Sequence, residues 1–172
     1  MKGNKTATIR RRINSLSAIL NYAYAELDLD KRNPFSRLFI KGEGVDSHKR
    51  GTFTNEQLKW GYDKALASGS QIKLLMPLLG ETGCRLAELV GLKLEDIDLV
   101  NDLIHMRPNS ARRLKTKSSQ RTLPLVGYAK LAIEQAFKQA DETYLFPRYI
   151  RDGKCYATHA SKALNKWLKR DF

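Results

Sequence analysis

Gly80-Glu-Thr-Gly83-Cys-Arg85-Leu-Ala-Glu88-Leu-Val-Gly91-Leu-Lys-Leu-Glu-Asp-Ile97 decides how this chain is read, because it sets one arginine just past a glycine-bounded turn, on a short apolar helix. A guanidinium in that position is aimed rather than freely solvated. About thirty residues on, Leu114-Lys115-Thr-Lys117-Ser-Ser-Gln-Arg121-Thr-Leu-Pro124-Leu reads as a basic hairpin running into a strand. Together the two stretches read as parts of a site for a phosphodiester, in which a fixed guanidinium grips a phosphate and a lysine reaches in from a loop.

The whole composition points the same way. The 172 residues, 42% of them apolar, are enough for one full domain plus a further piece. Thirty-one Lys and Arg against eighteen Asp and Glu leave a net charge of +13, which calls for a polyanionic partner and salt-dependent binding. Nucleic acid ranks first and an anionic membrane second. No apolar run approaches the ~20 residues that span a bilayer, and the N-terminus lacks the apolar core of a signal peptide, so no membrane partner is expected. Two distant cysteines, Cys84 and Cys155, support neither a disulfide framework nor a metal site, and a cytoplasmic location follows as the default. The excess charge is also concentrated. From Leu103 to Ile133 there are seven basic residues (Arg107, Arg112, Arg113, Lys115, Lys117, Arg121, Lys130) and no acid, the pattern of a phosphate-facing patch.

Periodicity divides the chain. Apolar residues at Ile9, Ile13, Leu16, Leu20, Tyr24 and Leu27 have the spacing of an amphipathic helix with Arg10, Arg11 and Arg12 on or beside its outer face, and Asn33-Pro34 ends that unit. Residues 41–51 are polar and glycine-rich and read as a linker. A second unit opens at Thr54, which caps a helix with Gln57 as its capping-box partner and Phe53 placed to staple onto Leu58. Gly69 ends that helix. Ile72–Leu79 is apolar nearly all round and belongs in a core, with Pro77 placed to kink it or to start a new turn. Gly91 stops the Arg85 helix. Short strand signals follow around an Asn101-Asp102 turn and again at Thr122-Leu123. A helix runs from Gly127 to about Ala140. A last helix carries Ala160, Ala163, Leu164, Trp167 and Leu168 on one stripe, with Lys162, Lys166, Lys169 and Arg170 off it.

Helices around a small three-stranded antiparallel sheet, with Thr82-Gly-Cys-Arg85-Leu-Ala-Glu88-Leu89 and Lys115-Thr116 ahead of Arg121-Thr-Leu-Pro124-Leu125, resemble the tyrosine recombinase (phage integrase) family. The resemblance covers roughly Thr6 to Phe172. It implies an α+β, mainly helical fold: residues 1–40 as the C-terminal part of a helical core-binding domain, 41–51 as a linker, and 52–172 as the N-terminal part of the catalytic domain. Members of the family cleave duplex DNA with a tyrosine that forms a 3′-phosphotyrosyl link, then rejoin the strand to another partner without metal, ATP or small-molecule cofactor. The resemblance further implies that the full-length protein clamps DNA between its two domains and oligomerises on it.

Residue by residue, Arg85 matches the family's first catalytic arginine, which holds non-bridging oxygens of the scissile phosphate; otherwise it is a surface arginine on a short helix. Glu88, three residues on, supports it by a charge-assisted hydrogen bond, or is an ordinary intrahelical ion pair. Lys115 matches the hairpin lysine that acts as general acid toward the leaving 5′ oxygen, although Lys117 would project on the same side of a regular strand. Arg10, Arg11, Arg112, Arg113, Lys117 and Arg121 are expected to contact backbone phosphates. His48 falls in the linker, His105 on a strand and His159 on a helix surface. The family's His-x-x-Arg box and nucleophilic tyrosine belong beyond Phe172, so the chain alone is expected to bind DNA without cleaving it. The rival readings are a non-catalytic DNA-binding module and an RNA-binding helical protein. The latter calls for stacking aromatics on the basic face, where Leu103–Ile133 offers only Tyr128.

Overall fold

The computed structural model describes residues 3–48, 51–114 and 116–171, apart from the side chain of Lys117. They divide into two compact units, Met1–Thr52 and Phe53–Phe172.

The first unit is one helix, α1 (Thr6–Glu26), and the chain that returns along it. Asn33 fixes the return: its amide donates to the Ser17 carbonyl at 2.8 Å and to Asn21 Oδ1 at 2.6 Å, and its own Oδ1 accepts from the Phe35 backbone. The glycine-rich stretch is turn structure from Lys41 to Asp46 rather than open chain. It bonds back to α1 through Thr6 to Asp46 and a two-pronged pair of Arg10 with Glu43. The apolar stripe of α1 finds no core of its own, since no residue of the helix is buried.

The second unit is built around α3 (Gln71–Thr82), which runs unbroken through Pro77. Leu74, Leu75 and Leu78 are fully buried there, each such side chain contributing about 2 kcal/mol. The helix is apolar on nearly every side because neighbours surround it: α2 (Asn55–Ser68), α4 (Leu86–Val90), α5 (Gly127–Phe137) and α6 (Ala157–Asp171). On α5, small residues at Ala129, Ala132 and Ala136 allow close approach. The α2 start forms as its residues dictate, with Gln57 Oε1 accepting from the Thr54 backbone at 2.9 Å and Thr54 Oγ1 from Gln57 at 3.3 Å.

Strands β1 (Ile97–Asp98), β2 (Leu103–Met106) and β3 (Arg121–Pro124) form the expected antiparallel sheet in that order, with Ile104 opposite Leu123 and Met106 opposite Arg121. Asp102 takes the positive φ that the tight β1–β2 turn requires. Leu145 and Phe146 are fully buried, and Leu145 donates to the Leu92 carbonyl, which ties the α5–α6 connection beside the end of α4. A second, two-stranded hairpin, β4 (Ile150–Arg151) and β5 (Lys154–Cys155), leads into α6. Among the described residues no helix is long and apolar enough to cross a membrane.

Candidate active site

Helix α3 ends at Gly83, whose φ of 61° is the left-handed geometry that glycine adopts without strain. The chain then leaves Arg85 extended (φ −71°, ψ 146°) as the residue that caps α4, one position before the helix rather than on it. That position explains Glu88. As the third residue of α4 its carboxylate reaches back to the Arg85 backbone N–H at 3.1 Å and also accepts from the Arg85 guanidinium at 2.8 Å. One acid thus fixes both the main chain and the side chain of Arg85.

A second guanidinium shares the carboxylate. Arg121, the first residue of β3, donates to Glu88 Oε2 at 3.0 Å, to the Ser119 carbonyl at 2.8 Å and to the buried Cys84 thiol at 3.2 Å. The Ser119 hydroxyl meets Arg85 at 3.1 Å and Thr116 Oγ1 at 2.9 Å. Thr82 and Gly83 on one side and Thr116, Ser118 and Ser119 on the other close an open cavity of about 430 Å³ around the two arginines. The Glu88 side chain is 4% exposed, against 54% for Arg85 and 30% for Arg121, so the acid lies beneath and the cations face the opening. Two positive charges over one negative leave the cavity electropositive, and its hydroxyls add donors suited to phosphate oxygens.

Burial pushes the Glu88 carboxyl up, but hydrogen bonds from the Arg85 backbone and from the Arg121 and Arg85 side chains outweigh it and hold the group below the usual range. For Arg121, partial burial acts downward and the bond to Glu88 upward, with a net rise.

Arg112 corrects an expectation. The sequence pattern points it at a DNA phosphate, yet its side chain is 1% exposed. Its guanidinium donates to the backbone carbonyls of Glu88 and Arg107 and lies 3.6 Å from Asp96, itself almost fully buried. Desolvation lowers its proton affinity while Asp96 and Glu88 raise it, and desolvation prevails. Gly91 makes room for it: a Cβ there would sit 2.8 Å from the Arg112 Cβ, although the φ of −90° at Gly91 is open to any residue. Arg112 is therefore a structural cation under α4. The signal in the sequence is Asp96, an acid amid Leu92, Leu94 and Ile97 that needs a buried partner.

The other expectations divide. Arg85 and Glu88 meet, and Arg121, whose sequence context points only to a DNA phosphate, joins them. Lys115 lies outside the described residues. Lys117 opens a 3-10 turn, Lys117–Ser119, so the alternation of a regular strand does not govern it. Arg113 is exposed beside Pro108, Leu114 and Gln120, and Arg11 is exposed on α1. His105 meets Thr122 across the sheet at 3.1 Å and does not line the arginine cavity, nor does His159. Among the described residues no tyrosine lines that cavity, and no cluster of three or more His, Cys, Asp or Glu is arranged to hold a metal.

Residues 53–171, the unit that contains this cavity, match the phage integrase family. The chain belongs to the phage integrase family. The resemblance read from Thr82–Leu89 and Lys115–Leu125 thus stands. A curated protein named as a tyrosine recombinase, from Caldanaerobacter subterraneus subsp. tengcongensis, is 25% identical over 140 residues, covering 78% of this chain and 43% of its own. Among solved structures, the integrase of transposon Tn1549 in complex with a circular intermediate DNA is 20% identical, with a TM-score of 0.75 over 99% of this chain and 61% of that one. XerA recombinase is 18% identical with a TM-score of 0.54, over 96% and 61%. The chain spans about two fifths of the curated relative and three fifths of these solved structures, which share its mainly helical fold with a small antiparallel sheet.

Proposed function

We propose that this protein binds duplex DNA and supplies the arginine site of a site-specific tyrosine recombinase, an enzyme that breaks and rejoins strands through a 3′-phosphotyrosyl intermediate. The observation that carries the reading is the pair of guanidinia, Arg85 and Arg121, facing one open cavity from a shared buried carboxylate. In this reading Arg85 grips two non-bridging oxygens of the scissile phosphate and stabilises the charge that builds up in the transition state, a contribution of ~3 kcal/mol where donors are preorganised. Arg121 adds a second donor, and Glu88 keeps both aligned so that little reorganisation accompanies the reaction. Lys115 is the general acid toward the leaving 5′ oxygen, with Lys117 the alternative two residues on. Arg10, Arg11 and Arg113 contact backbone phosphates; Arg10 exchanges its Glu43 partner to do so. Residues 1–40 form the end of a core-binding domain and 52–172 the first part of the catalytic domain. The protein works in the cytoplasm, where it assembles as an oligomer on its DNA. The Tn1549 integrase structures, solved with DNA, support the choice of partner.

Titrating the 172-residue protein with labelled duplex DNA over a range of salt concentrations tests this. The log–log plot should fall steeply, and Arg85→Ala or Arg121→Ala should each reduce the slope by about one. An affinity that does not change with salt would overturn the reading.

A further inference from the structure

A second basic segment lies outside the arginine cavity. From Pro147 to Arg170 there are seven Lys and Arg (Arg148, Arg151, Lys154, Lys162, Lys166, Lys169, Arg170) and one acid, Asp152. Unlike the first, it is interleaved with aromatic rings. Where the β4–β5 hairpin meets the first turns of α6, a cavity of about 220 Å³ is walled by Arg148, Arg151, Tyr149, Tyr156, His159 and Ala163. Tyr149 is 6% exposed and forms a fixed wall, tied to the start of α6 by the Tyr156 backbone N–H bonded to its carbonyl at 2.8 Å. Tyr156 is half-buried, meets the His159 ring nearly edge-on at 5.6 Å, and has the Arg151 guanidinium 6.0 Å from its centroid. By comparison, Lys64 sits 4.0 Å over Trp60. At 6.0 Å, near the limit of a cation–π contact, Arg151 is loosely held and free to turn toward an anion.

We propose that this cavity is a binding site for an unpaired nucleotide of single-stranded DNA, whose base stacks on Tyr156 while its phosphate is taken by Arg148 and Arg151. A duplex presents phosphates but keeps its base faces stacked inside. An aromatic floor beside two guanidinia therefore matches a nucleotide out of its helix better than intact double-stranded DNA. The next turns of α6 extend the track: counting by 3.6 residues per turn, Lys162 and Lys166 continue from His159 along one flank of the helix, beside the buried stripe of Ala160, Leu164 and Trp167, and Arg170 beyond them is paired with Asp171. Neighbouring phosphates of the same strand would follow that flank. The inference rests on the reading of this protein as DNA-binding.

The test uses the 172-residue protein and a fluorescein-labelled oligothymidylate of about twelve nucleotides, within the span of known single-strand sites. Anisotropy should show Tyr156→Ala binding the oligonucleotide roughly 5- to 150-fold more weakly, the range that one base–aromatic stack supplies. Tyr156→Phe, which keeps the ring, should bind like the wild type, and duplex affinity should change by less than about twofold in both variants. Circular dichroism melts confirm that the variants are folded. If Tyr156→Ala leaves single-strand affinity unchanged, or weakens duplex equally, this inference fails while the DNA reading stands. Tighter binding of the matching oligouridylate rejects DNA as the ligand of this cavity. Absence of binding to both single strands and duplex rejects the inference and the proposed function together.

Discussion

Two groups of cations face solvent in the unit formed by residues 53–172, and they are held in different ways. Arg85 and Arg121 stand on Glu88, which is buried beneath them, and hydrogen bonds from three directions fix the carboxylate. Arg148 and Arg151 line a cavity with tyrosine and histidine rings, and Arg151 lies at the far limit of contact with Tyr156. In the first region the geometry of the charges exists before any ligand arrives. In the second, the buried Tyr149 ring is a fixed wall and the Arg151 charge can adjust. Preorganised donors suit a step in which charge develops within one bond; adjustable ones suit a flexible strand.

The strongest way to break the first region is from below. Arg112→Met removes the buried cation that supports the α4 backbone and takes from Asp96 one of its two arginine partners among the described residues, so urea unfolding should show a loss of about 3 kcal/mol or more. Glu88→Gln should cost about 2 kcal/mol, because charge-assisted bonds to two arginines become weaker. It also sets a pH signature. The Glu88 carboxyl is held below its ordinary range in the fold, so its contribution is complete above that range and is lost as pH falls through the depressed value. Acid titration of stability should accordingly be shallower in Glu88→Gln than in the wild type over that window. Gly91→Ala should cost about 1–2 kcal/mol by pressing a methyl against Arg112. The smallest effect belongs to the other region: Arg151→Ala should leave stability within about 0.5 kcal/mol while lowering the salt slope of single-strand binding by about one. A large loss of stability in Arg151→Ala would erase the contrast.

The sequence was most legible where local chemistry decides. Thr54 and Gln57 make a cap whatever surrounds them, and the Asn101-Asp102 turn sets the β1–β2 pairing. Arg85 and Glu88 were within reach because they stand three residues apart, although their link proved to be a cap in front of a helix. What escaped depends on distant residues. Nothing near Arg112 in sequence says that it is buried; Asp96 and Gly91 decide that through the fold. Arg121 looked like the other cations of its acid-free segment until β3 brought it to the carboxylate from 33 residues away. Of the two candidate lysines, Lys115 lies outside the described residues, and the turn at Lys117 removes the regular strand geometry on which their comparison rests.

Glu88 has one further consequence, for inheritance. Its carboxylate serves Arg85 and Arg121, so two arginines from separate parts of the chain depend on one side chain. A lineage that changes one of the three cannot easily keep the benefit of the other two. Positions 85, 88 and 121 should therefore drift as a block, retained together while the cavity is under selection and eroded together once it is not, whereas Arg112, which bonds the backbone carbonyl of residue 88, is indifferent to the side chain there and the cations of the α6 flank exchange places freely.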